Sequence, residues 1–208
     1  MARASDVPPS GATPLPARSG VGLGRPGVHL ALVLLLGAAL QALLLVHDGR
    51  VNPFARAPLN DARVYWDWAG DLARGQWIGG APYFSAPLYP HAAGIVRALG
   101  GELTALYVVQ ALVHLATAAL VFRVALGRAG LAAGTLAALL WVLIDDAGYG
   151  TGRVLNGGVQ GFTVALLLER ALAFQASPRT ARALAFGGAF GLATLANPVL
   201  LALAPFAA

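Results

Sequence analysis

Between Val28 and Val46 the chain reads VHLALVLLLGAALQALLLV, without a single Asp, Glu, Lys or Arg. A helix needs about 20 predominantly apolar residues to cross the hydrocarbon layer of a bilayer, and this run supplies them before HDGR closes it. The rest of the chain has the same character. Only 11% of its 208 residues are charged, against roughly 25% in soluble domains. Four more apolar runs follow: Leu103 to Leu126, Leu131 to Ile144, Gly157 to Ala176 with Glu169 and Arg170 near one end, and Ala183 to Ala208, polar only at Thr194 and Asn197. The fold class expected is all-α, a multi-pass membrane bundle of about five transmembrane helices.

Arginine placement orients such a bundle, because short cytoplasmic loops collect positive charge. Arg3, Arg18 and Arg25 precede the first run, Arg123 and Arg128 flank the second turn, and Arg170, Arg179 and Arg182 flank the fourth. All fall on one side if the N-terminus is cytoplasmic. Residues 1–27, rich in Pro, Gly and Ser, then form a disordered cytoplasmic tail, and residues 28–208 form the membrane domain. The outer loop 47–102 and the loop Asp145 to Asn156 face outward.

Several function classes drop out. The chain has no cysteine, which removes disulfides and thiolate metal sites. Its net charge of +5 comes from arginines scattered singly between apolar runs, not from the basic face of a nucleic-acid binder. GYGTG at 148–152 has no strand before it and no Lys after it, so it is no nucleotide loop. His114 has no second His or acid at helical spacing to share a metal.

The outer loop holds the densest polar chemistry. PLNDARVYWDWAGDLARG predicts a helix, with Asn60 as N-cap and Gly75 as the left-handed residue that ends it. Asp61, Tyr65 and Trp68 share one face, and the tryptophans suit a helix lying flat at the membrane boundary. A second surface helix, 87–101, is expected to be broken by Pro90. Asp61 in a first turn has a structural reading, complementing the helix dipole for about 0.3–1 kcal/mol. Its functional reading is a base or electrostatic partner facing a cavity. Tyr107, Gln110, His114 and Thr117 recur at three- to four-residue spacing, either as interhelical hydrogen-bond glue or as a channel lining. GGAFGLATLA at 187–196 reads as close helix packing, and Pro198 as a kink.

The order NDARVYWDWAGDLARGQW, then APYFSAPLYP, then an apolar span, resembles the membrane glycosyltransferases of the C superfamily (GT-C), in particular the bacterial family 39 type related to protein O-mannosyltransferases and lipid A aminoarabinose transferases. The looser matches ALYVVQALVHLATAALVFRVALGRAGLAAGTLAALLW and FGGAFGLATLANPVLLALAP extend the resemblance over Asn60 to Pro205. It implies a transferase in the bacterial cytoplasmic (inner) membrane that moves a sugar from a polyprenyl-phosphate donor to an acceptor at the outer face. Asp61 falls where that family places its first-loop acid. A carboxylate there can take the acceptor's proton, and a cation can hold the departing phosphate; Arg63, Arg74 and Arg153 are the outer-side candidates. Tyr65, Asn156, Asp145 and Asp146 complete the expected substrate-binding set. Relatives often carry an acid or lysine where Asn156 stands and an arginine where Asn197 precedes Pro198. Asp145 and Asp146 either take over that role or keep their loop in water. The partners implied are membrane lipid and the lipid-linked donor; no metal site is read from the sequence, and a divalent cation stays open. Such enzymes carry further spans, so this chain is expected to be an N-terminal portion that lacks C-terminal spans or needs a partner subunit. The competing reading is a non-enzymatic multi-pass protein, a transporter part or a scaffold subunit.

Overall fold

The computed structural model describes residues 24–78, 85–144 and 152–206. Every regular element among them is helical. The expected tail (to residue 23), Asp145, Asp146 and most of GYGTG lie outside the described residues. Helix α1 spans Pro26–Val51. It does not stop at HDGR. Charged side chains at a helix end reach water without breaking the backbone ladder, and the helix ends only where Asn52 turns extended ahead of Pro53, as a residue before proline prefers. A short 3-10 turn, Pro53–Ala55, leads to α2, Asp61–Ala73. Then come α3, Leu88–Ala98, α4, Leu103–Leu143, α5, Gly157–Ala176, and α6, Thr180–Ala196, followed by a 3-10 stretch, Pro198–Phe206.

Two helices are long and apolar enough to cross a membrane, α1 and α4. Straight, the 41 residues of α4 would run about 60 Å. Gly130 prevents that: its φ of 84° and ψ of −175° lie in a region essentially restricted to glycine. The chain therefore folds back, and residues 103–129 and 131–143 pack as an antiparallel pair. Ala118, Phe122, Ala138 and Val142 bury against one another and against Val33 of α1. Deeper in the hairpin the Trp141 indole donates to the His114 carbonyl at 3.1 Å. The sequence places a chain reversal between 126 and 131, and the structure makes it with a single strained residue.

Further corrections concern the last run. Ala183 to Ala208 is not one continuous span. Helix α6 ends at Ala196 after 17 residues, about 25 Å against a hydrocarbon thickness of about 30 Å. Asn197 is extended (φ −148°), and its side-chain oxygen accepts from the Val199 N–H at 3.2 Å, so Pro198 marks a stop where a kink is expected. Of the small residues in 187–196 expected to pack closely, the alanines do and the glycines do not. Ala189 and Ala193 are buried, whereas Gly187 and Gly191 face open space.

Helices α2 and α3 pair closely. A Cβ on Gly94 would meet the Leu72 Cβ at 2.7 Å, and Ala69 and Ala93 are buried between them. Pro90 does not break α3, because it sits in the first turn, where an N–H has no helical partner in any case. Gly75, with φ of 91°, ends α2 as the sequence predicts.

Candidate functional site

The 3-10 turn, the start of α2 and the segment before α5 line an open cavity of about 380 Å³. One wall is Phe54 together with Leu59 to Ala62, and the other is Arg153 to Leu155. Asp61 and Arg153, ninety-odd positions apart, therefore line the same space. Asp61 enters it from the first turn of α2. Asn60 directly before it has a φ of 53°, uncommon for a residue with a side chain. Its side chain makes no cap hydrogen bond, contrary to the sequence expectation; its carbonyl instead takes the Arg63 and Val64 N–H groups at 3.0 and 3.2 Å.

The first two turns of α4 hold both walls. The Tyr107 hydroxyl donates to the Ala55 carbonyl at 3.0 Å, tying down the Phe54 side. The Gln110 amide donates to the Arg153 carbonyl at 2.8 Å and accepts from the Tyr89 hydroxyl at 2.6 Å. Val154 packs into the same core cluster as Tyr89 and Tyr107. Burial pushes the Tyr89 phenol far above its ordinary value, with the neighbouring Tyr107 adding to the shift. Of the polar stripe on α4, Tyr107 and Gln110 thus act as glue. His114 stacks on Trp141 with centroids 5.7 Å apart, and Thr117 bonds to its own helix at Val113.

The remaining expected site residues are not gathered here. Arg63 points outward and pairs with Asp67 at 3.6 Å, both side chains about seven-tenths exposed, a geometry worth little. Arg74 pairs with Asp71. The Tyr65 hydroxyl bonds to Ser85 at 2.8 Å and its ring meets Tyr89 edge-on at 5.5 Å, so it supports the α2–α3 pair. Asn156 is buried, and its amide donates to the Ala196 carbonyl at 2.9 Å; it clasps the start of α5 to the end of α6. Asp145 and Asp146 lie outside the described residues.

No protein-family model, no curated protein and no solved structure matches this chain. The geometry therefore stands without a relative beside it.

Two features escaped the sequence reading. Asp48, near the C-terminal end of α1, abuts the backbone just before the second wall: a Cβ on Gly152 would lie 2.9 Å from its Oδ2. An acid at the exit of an apolar run is a signal in HDGR, but it looks the same as a simple helix terminus. The tryptophans of this region also have protein partners that the sequence does not announce. Arg97 lies 4.2 Å over the Trp66 ring and donates to the Trp66 carbonyl at 2.7 Å, while Trp68 and Trp77 both meet His91. Among the described residues no group of three His, Cys, Asp or Glu is placed to hold a metal ion.

Proposed function

We propose that the chain resides in a membrane and that its outer-loop cavity is part of a glycosyltransferase site, taking a sugar from a polyprenyl-phosphate donor. The single observation that carries this reading is the shared cavity of Asp61 and Arg153. Transfer needs a base for the acceptor hydroxyl and a cation for the phosphate that leaves. Asp61 is the proton acceptor and Arg153 the phosphate partner. Arg63 and Arg74 do not line this cavity and recede as candidates.

Membrane residence is supported by the outward face of α1. Leu32, Leu35 and Leu43 are 62%, 67% and 66% exposed, and leaving three such side chains in water forgoes about 1.5–3 kcal/mol each. Lipid covers them at no such cost. Helix α5 and the first arm of α4 complete the multi-pass reading, while the second arm, residues 131–143, and α6 are each too short to cross alone. Arg123, Arg128, Arg170, Arg179 and Arg182 sit at the end of the bundle where α1 begins, which supports a cytoplasmic N-terminus.

The test is sugar transfer from a polyprenyl-phosphate-linked donor in membranes carrying this chain. Asp61→Asn should lower the rate by about 10²–10⁴-fold, the usual contribution of a positioned base, and Arg153→Gln should lower it comparably. Unchanged transfer in Asp61→Asn would remove the proposal. One observation favours the non-enzymatic alternative: Asn156, where the resemblance expects an acid or lysine, is spent on packing. Transfer absent from the wild type, with Asp61→Asn equally stable, would favour that reading.

A further inference from the structure

The opposite end of the molecule holds a second, differently built cavity, of about 550 Å³, between the hairpin turn of α4 and the last turns of α5. Arg123, Arg128, Glu169 and Gln175 supply its polar lining and Leu172 and Val124 its apolar part. Glu169 is an internal anchor. Its side chain is 12% exposed, and it receives Arg123 at 3.0 Å and Arg170 at 3.1 Å. Arg123 remains 60% exposed, with guanidinium donors beyond the one it gives Glu169. Arg128 is exposed on the same wall and forms no ion pair among the described residues. Two arginines against one glutamate leave the cavity lining net positive.

An apolar groove of about 520 Å³ adjoins it and shares Val124 with it. The groove runs between α4 and α5, past Ala125, Leu168, Val164 and Gly161 to Trp141. From Leu168 to Gly157 along α5 it extends about 16 Å. Its far end closes where the Trp141 ring packs directly on Gly161, since a Cβ there would lie 2.8 Å from the ring. A cationic mouth opening onto a long apolar trough complements one kind of molecule, a phosphate headgroup carrying a hydrocarbon chain. Basic pockets between helices at the cytoplasmic side of a membrane bind such headgroups.

We propose that this end of the chain binds an anionic phospholipid. Its phosphate is held by Arg123 and Arg128, and one acyl chain lies in the groove against Trp141. This rests on the membrane reading above and is independent of the transferase reading. It concerns the other end of the bundle and different residues.

The experiment uses the full chain in phosphatidylcholine vesicles that contain a minor fraction of lipid with brominated acyl chains, either phosphatidylglycerol or phosphatidylcholine. Bromine quenches tryptophan on contact, and a Trp141→Phe variant identifies the share that Trp141 contributes. Brominated phosphatidylglycerol should quench Trp141 at lower fractions than brominated phosphatidylcholine. Arg128→Gln, which breaks no ion pair, should lessen that preference about fivefold, the worth of one arginine at an anionic surface, and Arg123→Gln/Arg128→Gln should abolish it. Equal quenching by the two lipids, or a preference that survives the double substitution, overturns the proposal. So does displacement by millimolar inorganic phosphate, which would make the cavity a soluble-anion site. So does a preference without Trp141 quenching, which would mean that another protein segment fills the groove. Failure of the chain to float with vesicles of either kind would remove the membrane reading itself. Loss of lipid preference alone leaves that reading standing.

Discussion

Gln110 is the residue on which the second wall of the Asp61 cavity depends, and its replacement by leucine has a calculable cost. The side chain is buried and bonds at both ends, accepting from Tyr89 and donating to the Arg153 carbonyl. Gln110→Leu leaves the Tyr89 hydroxyl buried without that acceptor, at about 1–3 kcal/mol. The Arg153 carbonyl keeps the Leu155 N–H at 2.9 Å, so its loss is limited to about 1 kcal/mol. The sum is about 2–4 kcal/mol. Tyr89→Phe alone leaves Gln110 its bond to Arg153 but takes the hydroxyl donor from its buried Oε1, at about 1–3 kcal/mol. In the double variant neither member of the pair is left orphaned, so it should be at least about 1 kcal/mol more stable than the two single losses predict. Unfolding by denaturing detergent in mixed micelles, measured for all four proteins, closes the cycle. Additivity to within about 0.5 kcal/mol, the behaviour of independent sites, would refute the bridging role assigned to Gln110.

Two other outcomes follow from the same coordinates. Gly130→Ala forces a side chain into a conformation that costs about 1–3 kcal/mol; thermal unfolding in detergent should register that loss, and an unchanged midpoint would mean that the α4 arms do not turn at this residue. The Tyr89 phenol titrates well above its usual value because burial disfavours the phenolate. The folded state therefore keeps a proton that the unfolded chain releases near pH 10. Stability from this group is intact below about pH 10 and declines as pH rises beyond it; Tyr89→Phe should flatten that alkaline decline in a pH series of unfolding curves.

What could be read locally was read well. The bounds of α5, Gly157–Ala176, and the reversal between the arms of α4 follow from hydrophobic runs and from where they pause. The end of α2 at Gly75 follows from a backbone conformation that glycine adopts without strain. Errors came where a local signal had two outcomes. Charges in HDGR and a proline at position 90 both look like breaks, yet a helix carries charges at a wet end and accepts proline in its first turn. Asn197–Pro198 looks like a kink, yet the chain leaves the helix there.

The candidate site was legible only in half. Asp61 stands out by itself, an acid at the start of an amphipathic helix directly after an apolar run. That Arg153, and not Arg63 or Arg74, shares its cavity depends on how α4 presents Tyr107 and Gln110 to two separate loops. Nothing within a helical period of Asp61 carries that information. The same holds for Asn156 against Ala196, Arg97 over Trp66, and the groove beside Gly161. Apolar content and turn chemistry act over one or two turns and are written in neighbouring residues. Which polar groups meet is decided by helix rotation and packing between segments tens of residues apart.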